Sequence, residues 1–264
     1  MKPIRVIELF AGIGSQAQAL KNLEIPHEII GISEIDKYAI MGYEAIHGPV
    51  NNLGDITKIE HLPECDLITY SFPCQDLSIA GAKRGMAEGS GTRSALLWEV
   101  GRLLEDMKER NALPEVLLME NVDAILDKDN KPHFMRWILF LNQIGYTNSY
   151  EILNAKNYGI PQNRNRCFMV STLTKGTFIF PPKIELEKSL KDYLESGVSE
   201  VYYLSDEKIA KYEAHAMKME AKGMGLGWRP LSLSPINAPT PSLQRLTGVR
   251  QTSLSQMEGG QNDR

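Results

Sequence analysis

Short apolar, β-branched runs alternate with segments of helical spacing, and this alternation limits the fold more than any other feature. Six runs indicate strands, at 4–10, 27–36, 65–71, 114–121, 147–155 and 166–173. The stretches between several of them carry apolar residues at helical spacing, at 15–23, 37–48, 95–109 and 133–145. Strands that alternate with helices form βαβ units. The sequence therefore predicts an α/β fold with a doubly wound, mostly parallel sheet.

The character of the chain changes after about residue 175. The stretch 176–222 is charged and mostly helical in pattern, and the stretch from Gly223 onward is rich in Ser, Pro, Gly and Gln. Such a composition has too little hydrophobic periodicity to build a packed core. We therefore predict a domain over 1–175 and a second region over 176–264 with a loop-like or disordered tail.

Charge and cysteine usage exclude several classes of protein. The formal net charge is −4, which is not the footprint of a bulk nucleic-acid binder, so positive charge would have to be local. The three cysteines form no C-x-x-C pair, and the five histidines form no H-E-x-x-H pattern, so no metal site is predicted. Without a signal peptide or an apolar run of membrane-spanning length, the sequence predicts a cytoplasmic protein.

The segment "ELFAGIG" at 8–14 places a glycine turn between a strand and a helix. Gly12 and Gly14 let the backbone pass close to a ligand, and the helix N-terminus offers free N–H groups. The segment is not G-x-G-x-x-G, because Ser15 and Gln16 continue the helix. That difference favours a nucleoside with a small charged tail over a dinucleotide. A plain tight turn is about equally consistent with these residues.

Two acidic segments follow, "SEID" at 33–36 and "GDIT" at 54–57. Glu34 ends the second strand, where an acid can accept hydrogen bonds from ribose hydroxyls. Asp36 could do the same, although it also suits the start of the next helix. Asp55 could accept from an exocyclic amine while Ile56 covers a base. An ordinary turn aspartate is the favoured interpretation of Asp55 from these residues alone.

The segment "YSFPCQDLS" at 70–78 raises the question of what Cys74 does. Free cysteines are usually buried, but Pro73 and Cys74 follow the third strand, where open α/β sheets bind their ligands. A thiol of ordinary pKa, about 8.5, would need a nearby cation or helix dipole to act as a nucleophile. The glycine-rich stretch 79–94 could cover a substrate or be a surface loop.

Two further segments carry charged candidates. Glu120 in "MENV" ends the fourth strand and points toward the same crevice, as a general acid or as a structural carboxylate. Arg164 and Arg166 lie two residues apart in "QNRNR", a spacing that puts both on one side of a strand. They suit a cationic patch beside a carboxylate or phosphate, or a solvated pair on an edge strand.

Taken in order, "FAGIG", "SEID", "GDIT", "FPCQ", "MENV" and "QNRNR" resemble the cytosine-C5 DNA methyltransferase family. The resemblance covers roughly 4–175. It implies a Rossmann-like sheet that carries S-adenosylmethionine (SAM), with 1–175 as the catalytic domain and 176–264 as a partial target-recognition region. It also implies double-stranded DNA as the partner and a restriction-modification or phage setting. The sequence "QDLS" after Pro-Cys, in place of Cys-Phe-Thr, favours DNA over the tRNA substrates of some relatives.

The resemblance assigns roles to individual residues. Cofactor binding falls to Phe10, Ala11, Gly12, Ile13, Gly14, Glu34, Ile35, Asp55, Ile56 and Pro73. Cys74 matches the nucleophile that adds to C6 of cytosine, and Glu120 matches the acid at N3 and the exocyclic amine. Arg164 and Arg166 match arginines that position the base and the catalytic groups. The target base must leave the duplex stack to be reached.

Two alternative functions remain open, and the first depends on a family element that is not found in the C-terminal third. The family has a late Gly-Asn element that completes the SAM pocket, and no Gly-Asn pair occurs after residue 175. One alternative is therefore a truncated, inactive module that binds SAM or DNA and needs a second polypeptide for activity. A nucleotide-dependent oxidoreductase is a weaker alternative, because the chain lacks G-x-G-x-x-G and contains the Pro-Cys-Gln loop.

Overall fold

The computed structural model describes residues 2–73, 96–174, 176–195 and 198–221. In these ranges the strands and α-helices are β1 (Ile4–Leu9), α1 (Ser15–Asn22), β2 (His27–Ser33), α2 (Lys37–His47), β3 (Leu67–Tyr70), α3 (Leu97–Glu109), β4 (Val116–Val122), α4 (Lys131–Gln143), β5 (Thr147–Asn154), β6 (Asn165–Thr172) and α5 (Asp206–Ala221). The alternation expected from the sequence is confirmed, with strand ends that differ by up to three residues.

The six strands form one sheet in the order β2-β1-β3-β4-β6-β5. β1 pairs in parallel with β2 and with β3, and β3 pairs in parallel with β4. β6 is inserted between β4 and β5 and runs antiparallel to β4. The predicted α/β fold with a mostly parallel sheet is confirmed. The carboxyl ends of β2, β1, β3 and β4 meet at one edge, where open α/β sheets bind their ligands.

Helices cover both faces of this sheet. Successive residues of a strand point to opposite faces, and β1 shows the division. Leu9 belongs to one buried cluster with Leu103 of α3 and Trp137 of α4. The neighbouring Glu8 points to the other face, where its carboxylate accepts a hydrogen bond from the Tyr43 hydroxyl of α2. A buried side chain of leucine size contributes about 1.5–3 kcal/mol. Packing on both faces of the sheet therefore stabilises the doubly wound arrangement that the alternation predicts.

The chain divides into two compact units. The first comprises Met1–Leu153 and Asn165–Pro182, and the second comprises Asn154–Arg164 and Lys183–Arg264. Within the second unit, the Ile184 N–H donates to the carbonyl of Asn157 at 2.9 Å. In the part of the chain that the structure describes, no helix is both long and apolar enough to cross a membrane.

Candidate active site

The turn after β1 has an unusual backbone. Phe10 (φ 58°), Gly12 (φ 58°) and Gly14 (φ 80°) all lie in the left-handed region, which glycine adopts readily and other residues seldom do. The Phe10 and Ala11 N–H groups donate to the carbonyl of Ser33 at 2.8 and 3.3 Å. The end of β2 therefore holds this turn, and its backbone can approach a ligand closely.

Glu34 holds the same turn from the other side. Its Oε2 accepts from the Gly12 N–H at 2.8 Å, and its Oε1 accepts from the N–H groups of Ile35 and Asp36 at 2.8 and 2.9 Å. A carboxylate offers about four acceptor positions, so these three bonds leave capacity for a ligand hydroxyl. The Ile35 side chain is 74% exposed and is therefore available to cover a flat ligand.

Asn52 links Glu34 to the next candidate turn. Its Oδ1 accepts from the N–H groups of Glu34 (3.2 Å) and Gly54 (3.0 Å), and its amide donates to the carbonyl of Glu34 at 3.0 Å. The Ser33 hydroxyl adds a bond to the carbonyl of Gly54 at 2.7 Å. The sequence alone does not single out Asn52, because an Asn-Asn pair close to a glycine is typical of any turn.

Asp55 caps a short 3₁₀ turn, Ile56–Lys58. Its Oδ1 accepts from the Thr57 N–H at 3.0 Å and from the Thr57 hydroxyl at 2.8 Å, and the Thr57 N–H bond lowers the pKa of the Asp55 carboxyl. The Ile56 side chain is buried. The capping agrees with the ordinary interpretation of a turn aspartate, and contacts of these two residues with an adenine stay a prediction.

Arg102 of α3 supports this 3₁₀ turn through two hydrogen bonds to backbone carbonyls. Its Nη2 donates to the carbonyls of Ile56 and Ile59 at 3.1 and 2.8 Å. Its Nε donates to Glu99 one turn earlier on the helix, at 2.8 Å. On the sequence, Arg102 is an ordinary charged position of an amphipathic helix, so only the folded chain reveals this contact.

The end of β3 is bonded to the end of β4. The buried Asn121 amide donates to the carbonyl of the buried Phe72 at 3.0 Å. Pro73 follows, half-buried, and Cys74 lies outside the residues that the structure describes. The two residues that precede the predicted nucleophile are therefore placed at the carboxyl edge of the sheet, beside β4.

Glu120 and Arg166 form an ion pair across two adjacent strands. Arg166 Nε lies 2.9 Å from Glu120 Oε1, and the two side chains are 19% and 24% exposed, respectively. The β4–β6 register pairs Val122 with Arg166 and Glu120 with Phe168, so the ion pair is a diagonal neighbour contact. A partly buried, charge-assisted hydrogen bond of this kind orients the carboxylate.

Arg164 lies just before β6, which begins at Asn165, and belongs to the second unit. Its carbonyl accepts from the Ala155 N–H of the same unit at 3.0 Å. Arg166 lies within β6 and in the first unit. The predicted roles of both arginines at a substrate stay predictions.

The structure thus brings most of the predicted site residues to one edge of the sheet. In spatial order along that edge come the loop after β2, the turn after β1, the end of β3 and the end of β4. Two further contacts at this edge come from Gln16 and Glu8, which no predicted role includes. Gln16 of α1 donates to the Ser71 hydroxyl at 3.1 Å, and Glu8 of β1 accepts from the Ala17 N–H at 2.9 Å. For Glu8 the available signal was an acid between the apolar residues Ile7 and Leu9 of β1.

Comparison with known families supports the resemblance seen in the sequence. The family model "C-5 cytosine-specific DNA methylase" matches residues 4–255, beyond the six motifs. The type II methyltransferase M2.ScrFI of Lactococcus lactis subsp. cremoris is 38% identical over 263 residues, covering 78% of this chain and 72% of that protein. The orphan methyltransferase M.SssI of Spiroplasma monobiae is 37% identical, covering 82% and 71%.

Solved structures give the same result for the fold. The S. pombe Dnmt2 methyltransferase superposes with a TM-score of 0.60 at 25% identity, covering 81% of this chain and 67% of that one. The Entamoeba histolytica methyltransferase EhMeth superposes with a TM-score of 0.62 at 22% identity, covering 80% and 66%. The predicted Rossmann-like methyltransferase fold is therefore confirmed. By its sequence over 252 of 264 residues and by its fold, this chain belongs to the C-5 cytosine-specific DNA methylase family.

Proposed function

We propose that this protein transfers a methyl group from SAM to C5 of a cytosine in duplex DNA. Family membership supports the reaction class, and one contact supports the assignment of the catalytic residues. The Asn121 amide holds the Phe72 carbonyl, and Asn121 is the neighbour of Glu120. The chain that leads into Pro73 and Cys74 is therefore bonded to the strand end that carries the proposed acid.

Features of the cofactor region fit SAM. Within the part of the chain that the structure describes, a Cβ at Gly12 would meet no atom within 4 Å, and this space over the turn suits a ligand. Glu34 retains acceptor capacity for ribose hydroxyls, and the exposed Ile35 offers an apolar face for adenine. Phe10, Ala11, Ile13, Gly14, Asp55, Ile56 and Pro73 complete the proposed set. When bound, SAM would supply the electrophilic methyl group.

The chain's own residues would activate the cytosine. The Cys74 thiolate adds to C6, so an S–C6 bond forms and electron density moves toward C5, which accepts the methyl group. A water molecule then takes the C5 proton, the C5–H electron pair re-forms the C5–C6 double bond, and the S–C6 bond breaks, which restores the aromatic ring and the free thiolate. Glu120 would bond N3 and the exocyclic amine, which stabilises the charge that develops as the ring is attacked. The base must be flipped out of the duplex for these contacts to form.

Arg166 would orient this carboxylate, and Arg164 would help to position the base. Arg166 is bonded to Glu120 Oε1, which leaves Oε2 for the cytosine. A planar guanidinium with five donors can hold the carboxylate and still bond a second group. Arg164 would contact the substrate from the chain just before β6.

A covalent trap tests this proposal. The purified chain is mixed with SAM and duplex DNA that carries 5-fluorocytosine in varied contexts, and denaturing gels reveal any adduct. Fluorine at C5 blocks the final elimination, so we expect an adduct with the wild type and none with Cys74→Ala. An adduct that persists in Cys74→Ala would overturn the nucleophile assignment. SAM binding without an adduct would instead favour the alternative, a binding module that needs a second polypeptide.

A further inference from the structure

Glu8 is a buried acid that the proposed chemistry does not use. It lies in β1 with 0% exposure, and burial raises the pKa of its carboxyl. Its Oε1 accepts from the Ala17 N–H at 2.9 Å, and its Oε2 accepts from the Tyr43 hydroxyl. A buried carboxylate is costly unless its oxygens are hydrogen-bonded, so both bonds matter to the fold.

The Ala17 bond gives α1 a cap that its own N-cap residue does not provide. The N-cap is Gly14, which has no side chain, so the first N–H groups of the helix lack a local acceptor. Glu8 supplies that acceptor from the strand below. The position of Glu8 therefore fixes where α1 begins, which is also where the turn 10–14 ends.

Two residues of helix α2, Tyr43 and His47, lie against the same turn. His47 Nε2 of α2 lies 3.2 Å from the carbonyl of Ile13 in the turn. Within α2, the His47 ring packs against the Tyr43 ring at 4.7 Å, centroid to centroid. A Cβ at Gly14 would come within 2.5 Å of His47 and 2.7 Å of Tyr43. The turn is thus packed directly against α2. The hydroxyl of the same Tyr43 donates to Glu8.

We propose that Glu8 and Tyr43 are positioning residues for cofactor binding, which hold the turn 10–14 in the conformation that receives SAM. This inference rests on the proposed function, because it assigns SAM to that turn. The two residues do not touch the cofactor. They act through the start of α1 and through the backbone of the turn.

A merely structural role would produce a different result, and the chain offers a matched control for it. Tyr146 is also buried, at 3% exposure, and its hydroxyl donates to the carbonyl of Pro114 at 2.7 Å. Pro114 precedes the amino end of β4, so this bond lies at the opposite edge of the sheet. Tyr43→Phe and Tyr146→Phe each remove one buried hydroxyl and nothing else.

The first measurement is the dissociation constant of S-adenosylhomocysteine, together with KM for SAM, kcat and the melting temperature. We expect Tyr43→Phe to weaken binding and raise KM by about five- to tenfold, the size of one buried hydrogen bond, with kcat little changed. Tyr146→Phe should lower the melting temperature to a similar extent and leave the binding constant unchanged. Equal binding constants for Tyr43→Phe and the wild type would overturn the inference.

Conservative rescue provides the second variant. In Glu8→Gln the amide oxygen can accept from Ala17 and the amide nitrogen can donate to the Tyr43 oxygen, so binding should stay within about twofold of the wild type. Glu8→Ala should lose at least as much affinity as Tyr43→Phe. Affinity in Glu8→Gln as weak as in Glu8→Ala would show that the bonding pattern is not what matters and would overturn the inference.

Hydrogen exchange gives a readout that does not depend on the cofactor. In Tyr43→Phe the backbone amides of 10–17 should exchange faster, while the β4–β6 ladder keeps its protection. Unchanged exchange over 10–17 in Tyr43→Phe would overturn this inference and leave the proposed function standing. If the wild type fails to bind S-adenosylhomocysteine, the proposed function falls, and the inference falls with it.

Discussion

Gly12 and Gly14 share a left-handed backbone but differ in their surroundings. Among the described residues, a Cβ at Gly12 would meet no atom within 4 Å, whereas one at Gly14 would collide with His47 and Tyr43. Left-handed strain costs an alanine about 1–2 kcal/mol at either position. We expect Gly14→Ala to lower the free energy of unfolding by clearly more than that, because the collision adds to the strain.

The matched variant, Gly12→Ala, should lower the free energy of unfolding by only the strain, about 1–2 kcal/mol. It should weaken S-adenosylhomocysteine binding strongly, since its Cβ would occupy the open space over the turn. Urea denaturation and titration calorimetry measure the two effects. Equal losses of stability in the two variants would contradict this division of roles.

At single residues, the sequence predicted location better than contact. Glu34 and Ile35 lie directly after β2, at the predicted edge, because a strand followed by a helix in this fold ends at the carboxyl edge of the sheet. The sequence could not show that Glu8 is buried or that it bonds Tyr43, since Tyr43 lies 35 residues further along the chain. The prediction that Arg164 and Arg166 share one side of a strand assumed that both lie in the strand. In the structure β6 begins at Asn165, so it includes only Arg166.

Among the elements, the bond between the ends of β3 and β4 yields a prediction for catalysis. Asn121→Leu removes the donor to Phe72 and leaves a buried carbonyl unsatisfied, which costs about 1–3 kcal/mol. We expect kcat to fall as well, because the chain before Cys74 loses its anchor. The control is Asn130→Leu, since the Asn130 amide donates to the carbonyl of Ala124 at 2.9 Å in the loop after β4.

Both variants should lose comparable stability in thermal melts, and methylation assays should separate them. Asn130→Leu should keep its kcat at a temperature where both proteins are folded. A similar fall in kcat for the two variants would mean that global destabilisation, and not the position of Phe72, is responsible.

An ion pair joins β1 to the residue just before β3, and its contribution to the stability of the fold depends on pH in a defined direction. Arg5 Nη2 of β1 lies 3.0 Å from Asp66 Oδ1, just before β3, and the hydrogen bond from the Arg5 side chain lowers the pKa of the Asp66 carboxyl. A carboxyl with a lowered folded-state pKa stabilises the fold above its unfolded value, about 3.9. That contribution disappears as the pH falls from about 4 through the folded-state pKa.

Denaturation series between pH 2 and 7 test this dependence. Asp66→Asn should be less stable than the wild type at pH 7, and the difference should shrink below about pH 4. The effect should be modest, because both side chains are partly exposed and water screens them. A difference that stays constant across the range would contradict the assignment.

Element type was predictable from the sequence, while strand order was only partly so. Apolar runs of β-branched residues and helical spacing each report local geometry, which the chain sets over a few residues. The insertion of β6 between β4 and β5 depends on pairing between strands separated by the whole of α4. No local pattern encodes that pairing. The sequence therefore predicted a mostly parallel sheet without predicting which strand would run antiparallel to its neighbour.

At the scale of the whole molecule, cofactor binding should raise the stability of the fold. A ligand that binds only the folded state at 100 times its dissociation constant adds about 2.7 kcal/mol to the free energy of unfolding. We expect S-adenosylhomocysteine to produce this increase in the wild type and equally in Cys74→Ser, which should lose methyl transfer. A smaller increase in Cys74→Ser would show that the cysteine takes part in cofactor binding.

The antiparallel ladder between β4 and β6 also has a consequence for how the gene can vary. Glu120 and Arg166 meet because the two strands keep one register over seven residue pairs. Insertions or deletions between the strands, in the turns around α4 and β5, change the length of the connection but not the register. A single codon gained or lost within β6 would instead turn Arg166 to the opposite face of the sheet. Length variation among relatives is therefore expected in those turns, and β6 itself should keep a fixed length.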